Sequence, residues 1–93
     1  MSSRDRVKVE KALTSKGFRK VDTHHHRFIY WTESGKMTGV QTKTSHSHKV
    51  IDVRNIGKMA RQCRLAKIEF LKLVDCPLSR KEYETFLESE GAL

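Results

Sequence analysis

The run Arg27-Phe28-Ile29-Tyr30-Trp31-Thr32, the break Glu33-Ser34-Gly35-Lys36 and the run Met37-Thr38-Gly39-Val40-Gln41-Thr42-Lys43 decide the fold of this chain. Aromatic and β-branched residues fill the first run. A polar segment with a glycine interrupts it, and Val40 with threonines 38 and 42 carries the second. That is the pattern of two strands joined by a turn. Upstream, Phe18 to Thr23 reads as a shorter strand anchored by Phe18 and Val21, so three strands form an antiparallel meander.

Helical patterns flank the meander. Ser2 or Ser3 caps a first helix running through about Lys16, with Val9, Ala12 and Leu13 on one face, Val7 at its margin and Gly17 at its stop. After the strands, Thr44 to Lys49 is a polar loop and Val50-Ile51 a short extended piece. Asp52 caps a second helix whose apolar face is Val53, Ile56, Met59, Ala60 and Cys63, with Arg54, Lys58, Arg61 and Arg64 opposite. Leu65-Ala66 interrupts it. Lys67 to Val74 resumes with Phe70, Leu71 and Val74 inward, and Pro77 breaks the chain again. Ser79-Arg80-Lys81-Glu82 has the form of a capping box before Tyr83, Phe86 and Leu87, and Gly91 ends that helix.

The expected fold is α+β and two-layered: a three-stranded antiparallel sheet packed against helices in the order α-β-β-β-α, with extra C-terminal helices. Residues 1–93 form one domain, 1–65 its core and 66–93 a helical extension. A chain of 93 residues buries only about 60–65% of its unfolded surface, so a single small core is the expectation. With helices on one side, the other sheet face is left for a ligand.

Charge narrows the function. The net charge is +8, and it is uneven: residues 1–32 hold eight Lys/Arg against three Asp/Glu, residues 33–64 seven against two, and residues 65–93 four against six. A basic body with an acidic tail is the outline of a nucleic-acid binder. No apolar run is long enough to span a membrane, and Met-Ser-Ser-Arg-Asp-Arg lacks the apolar core of a signal peptide, so the expected compartment is the cytoplasm. Cys63 and Cys76 are too few for a disulfide framework or a zinc knuckle, and read as buried free thiols.

All five histidines fall between positions 24 and 48. Imidazole exchanges protons near neutral pH, and RNA carries its own nucleophile in the 2′-hydroxyl. One histidine acting as base or acid, with cations around the phosphate, is enough to cleave RNA without a metal. His26, at the mouth of the second strand, is the first candidate, with His48 and His46 as auxiliaries. Arg27, Lys49, Arg54, Lys58 and Arg61 are candidates for holding RNA phosphates, beside Arg4, Lys8 and Lys11 of the first helix. Tyr30 and Trp31 point to opposite sheet faces, so one of them is placed to stack on a base, and Tyr30 is taken as an RNA contact. Two other readings compete. One is a non-catalytic double-stranded-RNA-binding module. The other is a metal-binding protein, with His24 and His26 alternating on a strand and His46 and His48 on an extended loop. The second is disfavoured because no Asp or Glu neighbours the histidines in sequence to orient them. No cofactor or metal is expected.

The segment from Lys11 to Phe70 resembles the HicA-type toxins of toxin–antitoxin pairs. The similarity lies in Lys16-Gly17-Phe18 at the end of the first helix, His26-Arg27-Phe28-Ile29-Tyr30, the loop His46 to Lys49, and Arg61-Gln62-Cys63-Arg64-Leu65. The family places a Gly-Ser-His triplet before a similar strand, and by position its histidine matches His26. Where the family ends its second helix in glycine, this chain has Arg64. The resemblance implies a double-stranded-RNA-binding-like fold, a metal-independent endoribonuclease activity of the mRNA-interferase type centred on His26, and a HicB-like antitoxin partner.

Overall fold

A computed structural model describes residues 3–22, 26–45 and 48–93. The sequence expectations placed on Ser2, Thr23, His24, His25 and His46 lie outside the described residues. The order is β1 (Arg4–Asp5), α1 (Arg6–Ser15), β2 (Phe18–Asp22), β3 (His26–Trp31), β4 (Met37–Thr44), β5 (Val50–Ile51), α2 (Val53–Gln62), α3 (Lys67–Val74) and α4 (Arg80–Ser89). The expected α+β class, with a three-stranded antiparallel sheet ordered β2-β3-β4, is what the chain adopts.

Register explains which side chains reach the core. Phe18 pairs with Tyr30, and Phe28 with Thr42. Phe18, Phe28, Tyr30, Val40 and Thr42 are all buried, so this face carries the helices. The opposite face holds Arg19, Val21, Arg27, Ile29, Trp31, Gln41 and Lys43, none of them buried. The expected anchor Val21 is therefore on the open face, 38% exposed. The turn after β3 closes through Thr32, whose backbone exchanges hydrogen bonds with Gly35 and Lys36. Gly35 has φ 90°, a left-handed conformation that favours glycine.

The helix starts and faces depart from expectation at several points. α1 begins two residues later than a Ser3 cap implies: Asp5 caps it by accepting from the Lys8 N–H at 3.1 Å. The reason is tertiary. Arg4 pairs with Ile51 and Asp5 with Val50, holding the chain extended up to the cap. Arg4 thus belongs to a strand, and its guanidinium pairs with Asp75 at 2.7 Å. In α3 the innermost residues are Phe70 and Leu73, while Leu71 and Val74 only flank the core. Phe86 stays 36% exposed beside buried Tyr83 and Leu87. Cys63 is buried, as expected, but Cys76 is exposed.

Arg64 is not on the outer face of α2. It follows the C-cap Cys63 with φ 67°, and the Leu65 N–H reaches back to Ala60 O at 2.9 Å. This is the C-terminal motif that normally places glycine in the left-handed position.

Residues from both parts of the chain share one core. Phe18, Tyr30 and Tyr83 form an aromatic trio, with ring centroids 5.3–5.9 Å apart. The Tyr83 hydroxyl donates to Cys63 O at 2.8 Å. Burial pushes the Tyr83 phenol up, and pushes the Cys63 thiol up to about 12. Lys16, itself buried, donates through Nζ to Leu73 O, one of the carbonyls at the end of α3 that need a partner, and to Leu78 O in the connection to α4. Among the described residues no helix is long and apolar enough to cross a membrane.

Candidate functional site

The polar end of the sheet lies where β3 begins and β4 ends. His26 opposes Asp22 on one side and Thr44 on the other. Having the same parity as Phe28 and Tyr30, it points to the helix side, where α1 presents Glu10. His26 Nδ1 lies 2.8 Å from Glu10 Oε2, with 14% of the imidazole side chain and 11% of the carboxylate side chain exposed. An ionised carboxylate only accepts, so Nδ1 carries the hydrogen. Nε2, on the other side of the ring, is 3.8 Å from Asp22 Oδ1.

Glu10 is the hub. The same Oε2 accepts from Thr44 Oγ1 at 2.6 Å and from Arg6 Nη1 at 3.1 Å. Burial pushes the Glu10 pKa up, but the hydrogen bonds from Thr44, His26 and Arg6 outweigh it and hold the carboxyl below its ordinary value. Glu10 supplies the orienting carboxylate that the sequence does not place next to the histidines. Arg6 extends the network: its Nε donates to His48 O at 2.6 Å, fastening the loop before β5 to α1.

Beside this network lies a cleft of about 220 Å³ between β4, β5 and α2, lined among others by Arg6, Lys43, Thr44, His48, Asn55 and Lys58. Among the described residues, its titratable side chains are the cations Arg6, Lys43 and Lys58 together with His48. Low-dielectric walls such as Ile51 and Met59 strengthen that positive field.

The candidate residues divide on this geometry. His48 and Lys58 line the cleft, and His26 joins it through Glu10, Arg6 and Thr44. Arg54 and Arg61 follow the same helical stripe as Lys58, on exposed turns of α2 outside the cleft. Lys49 is exposed, and its backbone carbonyl accepts from the Arg6 N–H at 2.8 Å. Arg27 lies on the open sheet face, bonded to Gln41. Tyr30 is corrected: it is fully buried, its hydroxyl donates to Glu84 Oε1 at 2.5 Å, and burial pushes its pKa up to about 12, so its ring cannot stack on a base. Trp31 takes the open side instead, with the Arg19 guanidinium 3.9 Å from its ring centroid.

No protein-family model, curated protein or solved structure matches this chain.

Arg6, Glu10, Lys43 and Thr44 are members of the site that the sequence reading passed over. The Arg6–Glu10 spacing of one helical turn was a readable ion-pair signal, but its attachment to His26 was not. Among the described residues no three His, Cys, Asp or Glu side chains cluster as a metal site. The metal reading draws on His24 and His46, outside those residues.

Proposed function

We propose that this chain is a HicA-like RNA-binding protein with a double-stranded-RNA-binding-like core, and that it cleaves RNA without a metal. The observation that carries the reading is the 2.8 Å contact of His26 Nδ1 with Glu10, set beside a cationic cleft. A carboxylate on one ring nitrogen fixes the tautomer and supports positive charge on the ring when the opposite nitrogen takes a proton. In the proposed reaction His26 takes the 2′-hydroxyl proton and the 2′ oxygen attacks phosphorus. The bond to the 5′ oxygen breaks, and that oxygen leaves with a proton from His48 or from water. Lys43 and Lys58 offset charge on the phosphorane. A HicB-like antitoxin that covers the histidine end belongs to the same proposal.

The deciding experiment incubates labelled RNA with the protein in excess chelator. Cleavage that persists there and falls by about a hundredfold or more in His26→Ala is the expected result for loss of a general acid–base group. Salt-sensitive binding with intact RNA would reassign the chain as a non-catalytic double-stranded-RNA-binding module.

A further inference from the structure

Two clefts flank edge strand β4, and their linings differ in kind. The second is lined by Arg27, Gln41, Thr42, Lys43 and Gln62, with no aliphatic residue among them. The first, described above, adds Val50, Ile51 and Met59 to its cations. Ile51 and Met59 are buried and form its floor, while Val50 is 55% exposed beside them. Lys43 and Lys58 are exposed and form its rim.

A phosphate alone makes no use of such a floor. Moving an anion from water onto aliphatic surface costs its hydration, so the phosphate stays at the rim with the lysines. The base is the part of RNA that has apolar faces, and contact with aliphatic side chains takes those faces out of water. Among the described residues the lining holds no carboxylate that would repel the phosphate joined to that base. Resting on the RNA reading above, we infer that the first cleft receives one unpaired nucleobase, with an adjoining phosphate at its rim. A base in a duplex is stacked on both faces and paired along its edge, so it reaches a concave floor only by leaving both arrangements. The ligand is therefore RNA that is single-stranded at that nucleotide. Asn55 lines the same cleft and offers both a donor and an acceptor, so the site asks for a base without choosing which.

The test compares a single-stranded 2′-O-methyl tetranucleotide, which lacks the attacking hydroxyl, with its fully abasic counterpart, which carries the same phosphates. Affinity for the full chain is measured together with the methyl NMR signals of Ile51 and Met59. The base-bearing strand should bind about tenfold more tightly. Only that strand should shift the two methyl signals, through the ring current of the base, and a duplex of the same chemistry should leave them in place. Val50→Ser trims the exposed part of the aliphatic surface, so it should weaken the base-bearing strand and leave the abasic one unchanged. Lys58→Gln, at the rim, should weaken both alike. Equal affinity for the two strands with unshifted methyl signals would overturn the base site while the RNA reading stands, and so would tighter binding of the duplex than of the single strand. If the wild type binds none of the three, the RNA reading itself falls and the base site with it.

Discussion

The two ends of the helix-facing side of the sheet handle buried polar atoms in opposite ways. At the end closed by α4, the hydroxyls of Tyr30 and Tyr83 are each spent on one protein acceptor, and the rings fill a dry core. At the end beside α1, one carboxylate oxygen gathers a histidine, a threonine and an arginine, and the group stays partly open to water. The first arrangement uses hydrogen bonds to complete packing. The second uses packing to fix the orientation of a titratable group. Mutations should therefore cost stability at both ends, with a dependence on acid pH only at the end that holds Glu10.

The largest stability effect belongs to the closed end. Tyr83→Ala removes a fully buried ring from the aromatic trio and should cost about 3–5 kcal/mol, enough to abolish the cooperative urea transition of a domain this small. Tyr83→Phe keeps the ring and loses only the bond to Cys63 O, so about 1–2 kcal/mol is expected. Equal losses in the two variants would mean that the hydroxyl, and not the ring, holds α4 in place.

Glu10→Gln sharpens the contrast at the open end. Because its neighbours lower the Glu10 pKa, folding is stabilised by the ionised carboxylate above its ordinary value of 4.5, and this stabilisation is lost as pH falls through the lower folded value. The variant should be about 2 kcal/mol less stable than the wild type at neutral pH. The gap should close in acid, below pH 4.5, as the wild-type group takes up its proton. Denaturation midpoints measured across that range check it, and a pH-independent gap would remove the ionised hub.

The smallest effect is a gain. Arg64→Gly relieves a left-handed residue at the end of α2 and should raise stability by about 1 kcal/mol, read as a higher urea midpoint with an unchanged slope.

The hairpin from Arg27 to Lys43 was legible because its turn and its alternation agree, and the apolar stripe of α2 because Ile56, Met59, Ala60 and Cys63 share one period; Val53, expected on the same stripe, stays 38% exposed at the first turn. The capping box at Ser79 and Glu82 likewise forms as its spacing implies. The start of α1 was not legible: the residues that hold Arg4 and Asp5 extended lie more than 40 positions away, in β5. Parity showed that Tyr30 and Trp31 face opposite ways, but not which side the helices cover. Glu10 and His26 meet only in the folded chain, a contact between residues sixteen positions apart that no local spacing encodes.

Arg6 has one guanidinium and two obligations, to Glu10 through Nη1 and to the His48 carbonyl through Nε, while it also faces the first cleft. An anion arriving there competes for the same planar cation. Filling the cleft therefore loosens the hold on the carboxylate behind His26, and a change of charge on that carboxylate alters the welcome given to the anion, by equal free energies in both directions.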